Sequence, residues 1–274
     1  MKLYLSVDME GITGLPDETF IDFRKHNYER ARKIMTKETN YVVEAAFQHG
    51  ASEILVNDSH MKMNNLLIDE LHPDVHLISG GVKPFSMVQG LDNTYDGAMF
   101  IGYHARAGQR GVMSHTMIHA IRNIYINDHQ VGEMGMNAYV AGYHGVPILL
   151  VAGDDQAAME AEKLIPNVTT AAVKETITRS AVKSLTPKKA GELLAEKVKE
   201  ALENKHKVKP LTPPEKPVLQ IEFNNYGQAE MASFMPRTRI EPGTTIVTYE
   251  ADDFLEAYKA MLVMTDLAVQ TSFS

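Results

Sequence analysis

Apolar runs of strand length alternate with helical segments along residues 1–165 of the chain. The apolar runs predict strands at 3–7, 54–56, 74–78, 98–102 and 147–151. Apolar residues at helical spacing predict a helix over 28–48, and a second helix at 133–143 ends before Gly145. Strands that alternate with helices form a mostly parallel sheet covered on both faces. This pattern therefore predicts a three-layer αβα domain over residues 1–165.

Residues 166–274 have a different pattern. They contain predicted strands at 168–177, 218–223 and 245–249, and predicted helices at 186–202 and 252–269. No dense cluster of acidic residues and histidines occurs among them. We therefore expect a smaller α+β domain with a supporting or assembly role after the first domain.

Composition limits the classes of function. The hydrophobic fraction of 44% and the charged fraction of 23% are those of an ordinary globular protein. The net charge is −8 and no basic block occurs, which argues against a nucleic-acid partner. The chain has no cysteine, which excludes thiolate ligands and a cysteine nucleophile. No segment approaches the ~20 apolar residues of a membrane span, and the N-terminal apolar stretch is too short for a signal peptide. We expect a cytoplasmic protein with no membrane partner.

Acidic and histidine-containing motifs follow the predicted strands and begin one predicted helix. They are Asp8-Met9-Glu10, Asn57-Asp58-Ser59-His60, Gly102-Tyr103-His104 and Gly132-Glu133. Because ligands bind at the carboxyl ends of strands in open α/β sheets, we expect these side chains to converge. Imidazole and carboxylate donors without thiolate suit zinc, with manganese or cobalt as alternatives. The carboxylates of Asp8, Glu10 and Glu133 carry three negative charges against the four positive charges of two divalent ions. The surplus positive charge keeps the pair of ions electrophilic.

Each of these residues also has an ordinary structural interpretation. Asp8 and Glu10 could be solvated acids in a loop, and His60 could be an exposed side chain. His104 could be a hydrogen-bonded histidine behind a site, and Glu133 is a favourable acid in a first helical turn. Only the combination of the motifs favours a metal site.

The segment around the first motif carries a family resemblance. Ser6-Val7-Asp8-Met9-Glu10-Gly11 resembles the Ser-x-Asp-x-Glu-Gly signature of the zinc-dependent D-aminopeptidases, the peptidase family M55. The resemblance extends along the chain through the other motifs and through Met113-Ser114-His115-Thr116. No predicted ligand position departs from the family pattern.

The resemblance implies a site with two zinc ions. Asp8 would bridge the ions, Glu10 and His60 would bind one, and His104 and Glu133 would bind the other. His115 resembles the catalytic residue of the family, acting as a proton shuttle or as a nucleophile, and both roles stay open. Asn57 and Asp58 are interpreted as residues that orient the imidazole ligands from behind. The site implied by the resemblance therefore consists of Asp8, Glu10, His60, His104, His115 and Glu133.

The activity implied by the resemblance is that of a dinuclear zinc metallopeptidase. Such a hydrolase releases N-terminal D-residues, for example D-alanine, from short peptides through attack by a metal-activated water. The resemblance also implies a ring-shaped homo-oligomer, decameric in the family, with active sites facing an inner chamber. Two alternatives stay open. One is a dinuclear metal phosphoesterase, for which Lys83 and Arg106 are the nearby cations, and the other is a non-catalytic metal- or ligand-binding α/β module.

Overall fold

The computed structural model describes residues 1–271, which form two β-sheets with helices packed against them. The strands of this part of the chain are β1 (Lys2–Val7), β2 (Glu53–Asp58), β3 (Val75–Ile78), β4 (Gly97–Tyr103), β5 (Ile121–Ile126), β6 (His129–Val131), β7 (Ile148–Asp154), β8 (Thr169–Thr178), β9 (Ala181–Ser184), β10 (Val218–Phe223), β11 (Thr238–Ile240) and β12 (Ile246–Glu250). The helices are α1 (Glu18–Ile21), α2 (Tyr28–Gln48), α3 (Glu133–Tyr143), α4 (Asp155–Leu164), α5 (Pro187–Glu203), α6 (Tyr226–Ala232) and α7 (Phe254–Val269). None of these helices is long and apolar enough to cross a membrane.

The larger sheet has seven strands in the order β3-β2-β1-β4-β7-β8-β9. All neighbours are parallel except β8 and β9. Residues 3–7 of β1 and all of β4 are buried, as expected for strands covered on both faces. Val7 lies opposite Asp58 of β2 and Ile101 of β4. The chain therefore leaves these three strands at the same edge of the sheet.

The predicted fold class is confirmed, because a mostly parallel α/β sheet is combined with a smaller antiparallel part. Helices α2 and α3 begin and end where the sequence predicts them. The elements α1, β9, α6 and β11 were not predicted. Each has seven residues or fewer, and hydrophobic periodicity gives little signal over so short a segment.

The smaller sheet takes strands from both halves of the chain. Its order is β11-β12-β10-β5-β6, and all of its pairs are antiparallel. Strands β5 and β6 precede residue 165, whereas β8 and β9 of the larger sheet follow it. The division into a catalytic unit at 1–165 and a supporting unit at 166–274 does not coincide with sheet membership and stays a prediction.

The turn after β1 is held by a buried lysine. Lys174 of β8 is 1% exposed. Its ammonium donates hydrogen bonds to the carbonyl oxygens of Glu10, Ile12 and Leu15, the last two at 2.9 and 2.7 Å. These bonds use all three protons of the ammonium. The position of Glu10 therefore depends on a cation in the protein core.

Glu38 of α2 is a second buried titratable side chain that contacts this turn. Its Oε2 accepts a hydrogen bond from the main-chain N–H of Thr13 at 3.1 Å, and its Oε1 has no partner among the described residues. Burial raises the pKa of Glu38 to about 7, although the bonds to Thr13 and the charge of Lys174 oppose this shift. The folded protein thus favours the protonated form of Glu38.

We expect Glu38→Gln to become increasingly stabilising as the pH rises. A carboxyl group whose pKa is raised on folding contributes stability below its unfolded pKa of 4.5, and this contribution is lost as the pH rises to about 7. The glutamine keeps the bond to Thr13 and has no such proton to lose. The difference in unfolding free energy between variant and wild type should grow by about 3 kcal/mol between pH 4 and pH 8.

Urea unfolding with a chelator present, at both pH values, measures this difference. Glu196→Gln on the exposed side of α5 is the matched control for the same substitution at a solvated position of a helix. If the difference in unfolding free energy between Glu38→Gln and the wild type is the same at pH 4 and pH 8, the pKa of Glu38 is not raised in the folded protein and the prediction is wrong.

Candidate metal centre

Five side chains converge at the carboxyl edge of the larger sheet. Asp8 and His104 directly follow β1 and β4, and His60 lies two residues after β2. Glu10 comes from the turn after β1, and Glu133 is the first residue of α3. Each of the five residues is at most 4% exposed. The five side chains that are predicted as metal ligands are therefore close together.

The side chains form two groups that share Asp8. His60 Nδ1 lies 3.0 Å from Glu10 Oε2 and 3.4 Å from Asp8 Oδ1. His104 Nε2 lies 3.0 Å from Glu133 Oε1 and 3.6 Å from Asp8 Oδ2. In each group, one donor atom from each of three residues lies within 4.8 Å of the others. This geometry is consistent with two cations that share Asp8, an assignment that stays a prediction.

Main-chain carbonyls determine which imidazole nitrogen faces the carboxylates. His60 Nε2 lies 2.8 Å from the carbonyl oxygen of Ile21. His104 Nδ1 lies 2.9 Å from the carbonyl oxygen of Ala105. Because a carbonyl oxygen only accepts, these two nitrogens carry protons. In the neutral imidazoles, His60 Nδ1 and His104 Nε2 therefore direct lone pairs at the carboxylates, as metal-binding histidines do.

The carboxylates lack the partners that their burial requires. Asp8 Oδ2 and Glu10 Oε2 have no hydrogen-bond partner among the described residues. Burial, together with the charge of Glu10, raises the pKa of Asp8 to about 8. The pKa values of His60 and His104 lie well above their usual value. Burial alone would lower them, but the neighbouring carboxylates outweigh the effect of burial. Without a metal the site must take up protons, whereas divalent cations would balance the same charge directly. The donor set fits zinc.

His115 lies beside these five residues in the loop between β4 and β5. Its ring is stacked on that of His104, with 4.3 Å between the centroids and 10° between the planes. His115 Nδ1 lies 2.9 Å from the carbonyl oxygen of Met113, and Nε2 lies 3.9 Å from Glu10 Oε1. Burial, followed by the charge of His104, lowers the pKa of His115. A neutral imidazole with an unprotonated Nε2 can accept a proton.

The geometry also allows a second interpretation of His115. Glu10, His104 and His115 form a further group whose donor atoms lie within 4.8 Å of one another. The predicted catalytic role of His115 therefore has to be separated by experiment from a role as a ligand.

Gly102 permits the close packing that brings Asp8 and His104 together. Its φ is +72°, and a Cβ atom at this position would lie 2.1 Å from the carbonyl oxygen of Asp8. The main-chain N–H groups of Asp8 and Gly11 donate to the carbonyl oxygens of Ile101 and Gly102, at 2.8 and 2.7 Å. The turn after β1 thus lies directly against β4.

Ser6 belongs to a buried hydrogen-bond network behind the metal centre. Its Oγ lies 2.8 Å from Ser59 Oγ and 2.7 Å from the Tyr103 hydroxyl. That hydroxyl accepts from Asn137 Nδ2 at 2.9 Å, and Asn137 Oδ1 accepts from the Tyr258 hydroxyl at 2.8 Å. A buried network in which the members satisfy one another fixes their relative positions. It connects β1 and β4 with helices α3 and α7.

The expectation that Asn57 and Asp58 orient the imidazoles is wrong. The carboxylate of Asp58 accepts from the main-chain N–H groups of Asn65 and Leu66, at 2.5 and 2.7 Å. Asp58 thereby shapes the loop that carries His60. The imidazoles are oriented by main-chain carbonyl oxygens, which no sequence motif reveals.

A cavity of about 410 Å³ opens over the metal centre. Its wall contains three residues of α7 that the sequence did not assign to the site, namely Leu262, Thr265 and Asp266. They reach the cavity because the C-terminal helix packs against α3, a tertiary contact that leaves no local signal. Lys83 lines the same cavity, whereas Arg106 lines a separate cavity of about 460 Å³.

Comparison with known proteins decides the family. The model of peptidase family M55, D-aminopeptidase, matches residues 1–263. The chain belongs to this family. A D-aminopeptidase of Bacillus subtilis (strain 168) is 68% identical over 273 residues, which covers 100% of both chains. The structure of the Zn-dependent D-aminopeptidase DppA from Bacillus subtilis, a self-compartmentalizing protease, matches with a TM-score of 0.99 and 67% identity over 100% of each chain. The family predicted from the motifs is confirmed.

We expect Gly102→Ala to destabilise the protein and to weaken zinc binding. The new Cβ would overlap the carbonyl oxygen of Asp8. Gly243→Ala is a matched control, because Gly243 has a φ of +75° but no atom within 4 Å of the new Cβ. The control should cost about 1–2 kcal/mol from backbone strain alone, and Gly102→Ala should cost at least about 2 kcal/mol more. Urea unfolding measures the loss of stability, and zinc content after dialysis measures the weakening of zinc binding. An equal loss of stability in the two variants would show that the close contact between residue 102 and the carbonyl oxygen of Asp8 is unimportant.

Proposed function

We propose that the protein is a zinc-dependent D-aminopeptidase that removes N-terminal D-residues, such as D-alanine, from short peptides. The observation that carries this proposal is the pair of buried donor groups that share Asp8. Family membership and the 68% identity to a D-aminopeptidase support the same activity. Each chain would hold two zinc ions. The ligands would be Asp8 between the ions, Glu10 and His60 on one ion, and His104 and Glu133 on the other.

The side chains around these ions suit amide hydrolysis. When bound, the two zinc ions would supply Lewis acidity that polarises the scissile carbonyl and lowers the pKa of a water. His115 Nε2 would carry a proton to the leaving nitrogen, because its Nδ1 proton is fixed on the Met113 carbonyl. Direct attack by the same nitrogen is the alternative role. The N–H of Met117 holds Glu133 Oε2 at 2.6 Å, which keeps the loop of His115 close to the ligands.

We also propose that copies of this chain assemble into a ring, with a decamer as the expected size. The Bacillus subtilis structure is that of a self-compartmentalizing protease. Several large apolar side chains are exposed in a single copy, including Phe23, Ile68, Val82 and Phe234, and such side chains are common at contacts between subunits. A closed chamber would restrict access to short peptides. Location in the cytoplasm stays a prediction from the sequence.

The phosphoesterase alternative receives less support from the cavity. Two metal ions would serve phosphoryl transfer equally well, but planar bidentate recognition of phosphate commonly uses arginine. No arginine lines the metal-centre cavity within residues 1–271, and its cations are Lys62 and Lys83. A non-catalytic metal-binding module would account for His115 only as a further metal ligand, so the zinc content of a His115 variant separates this alternative from a peptidase.

Hydrolysis of D-alanine p-nitroanilide and of its L-enantiomer tests the proposed function. We expect zinc-dependent release from the D-compound, with kcat/KM at least about tenfold above that for the L-compound. Activity should disappear with a chelator and return with zinc. p-Nitrophenyl phosphate is the comparison substrate. Hydrolysis of the phosphate ester alone, by a protein that contains zinc, would replace the peptidase assignment with the phosphoesterase.

The variant His115→Ala tests the proposed catalytic role of His115. We expect kcat for the D-substrate to fall by about 10²–10⁴-fold, the range for a lost general acid or base. Zinc content should equal that of the wild type. His76→Ala, at an exposed position in β3, is the control and should keep full activity. If His115→Ala loses one zinc ion per chain, His115 is a ligand and the catalytic assignment is wrong.

A further inference from the structure

A second cavity, of about 460 Å³, is separate from the cavity over the metal centre, and we call it the Arg106 cavity. It is bounded by the loop after β4, by the hairpin of β5 and β6, and by helices α3 and α4. Among residues 1–271, no residue lines both cavities. Sites for small molecules commonly have volumes of about 300–1,000 Å³, so the Arg106 cavity is large enough to hold one.

Three cations line the Arg106 cavity without a carboxylate partner. They are Arg106, Arg110 and Lys163, and within residues 1–271 none of them forms an ion pair within 4.0 Å. Arg106 Nη1 donates to the carbonyl oxygen of Ala107 at 2.9 Å, and Arg110 Nη2 donates to that of Thr176 at 2.8 Å. Both acceptors are neutral. Because a guanidinium group has five N–H donors, most of them are not used by the described residues.

Tyr139 of α3 adds a polar group to the same lining. Its side chain is half-buried, and its ring packs against Phe254 with 5.1 Å between the ring centroids. The hydroxyl forms no hydrogen bond with another described residue. Burial raises the pKa of Tyr139, so the hydroxyl keeps its proton at neutral pH and can donate it to an acceptor. The lining therefore offers a neutral donor in addition to the cations.

One carboxylate opposes the cations. Oε2 of Glu160 in α4 accepts a hydrogen bond from the main-chain N–H of Arg106 at 3.0 Å. The remaining titratable side chain of the lining, apart from Tyr139, is the exposed His129. Three cations and one carboxylate leave a surplus of two positive charges, although the whole chain has a net charge of −8. A cavity with such a surplus attracts an anion.

We propose that the Arg106 cavity binds a small molecule that carries a phosphate group. A phosphate monoester has a charge of about −1.5 to −2 at pH 7, which matches the surplus of the lining. Guanidinium groups bind phosphate oxygens in pairs, and Lys163 and Tyr139 supply further donors. Apolar side chains of the same lining, Val131, Leu164 and Leu211, would contact the organic part of the ligand.

The proposed ligand is not a substrate of the metal centre. None of the five predicted metal ligands lines the Arg106 cavity. The cavity lies on the other side of the segments that carry two of them, since Arg106 follows His104 by two residues and Val131 precedes Glu133 by two. The proposal therefore stands or falls independently of the peptidase function.

Titration of the zinc-loaded protein with phenylphosphonate, followed by calorimetry at constant ionic strength, tests the proposal. The C–P bond of this probe resists hydrolysis. We expect one phenylphosphonate per chain, bound at least about tenfold more tightly than benzoate. The double variant Arg110→Met, Lys163→Met changes two exposed positions and should raise Kd at least about tenfold. Tyr139→Phe removes only the hydroxyl and should raise Kd about threefold.

Lys62→Met is the matched control, because Lys62 is an exposed cation in the metal-centre cavity. It should leave Kd unchanged. A double variant with the wild-type Kd, or a weaker Kd in Lys62→Met alone, would place the probe at the metal ions and overturn the proposal. Equal affinity for benzoate would show a site for carboxylates instead.

Two further results would also overturn the proposal. One is a wild type that shows no binding at millimolar phenylphosphonate. The other is a double variant that elutes as a smaller assembly than the wild type in size-exclusion chromatography, while the wild type binds no probe. That result would assign the cations of the Arg106 cavity to a contact between copies of the chain.

Discussion

Repulsion among buried carboxylates is the constraint on which the rest of the site depends. Asp8, Glu10 and Glu133 are almost fully removed from water, and two of their oxygens have no hydrogen-bond partner among the described residues. His60 and His104 direct lone pairs toward them because their other nitrogens are bonded to main-chain carbonyls. Buried carboxylate oxygens and imidazole lone pairs repel one another. They can face one another in this way only if cations or protons lie between them. The fold therefore holds a geometry that metal binding completes.

Several features away from the ligands keep this unfavourable arrangement in place. Lys174 holds the turn of Glu10 by three carbonyl bonds, and Gly102 lets that turn lie against β4. The network from Ser6 to Tyr258 fixes helices α3 and α7 against the same strands. Stability from these contacts offsets the cost of clustering charges at the edge of the sheet.

Residues next to strand ends were predictable from the sequence, and residues brought in by tertiary packing were not. Asp8, Glu10, His60 and His104 lie in short motifs that follow apolar runs, so the topology of a parallel sheet alone predicts that they meet. The predicted catalytic role of His115 rests only on the family resemblance, because the loop that carries His115 has no periodic pattern. The carbonyl of Ile21 and the side chains of α7 could not be predicted, since they reach the site through contacts between segments distant in sequence.

Counting zinc ions in Asp8→Asn and His60→Ala tests the central claim most directly. If Asp8 is shared by two ions, the wild type should retain two zinc ions per chain after dialysis. His60→Ala should lose one ion, whereas Asp8→Asn should weaken both and retain fewer than one. A wild type with one zinc ion per chain, or an Asp8→Asn variant that still retains two, would contradict the shared-carboxylate site.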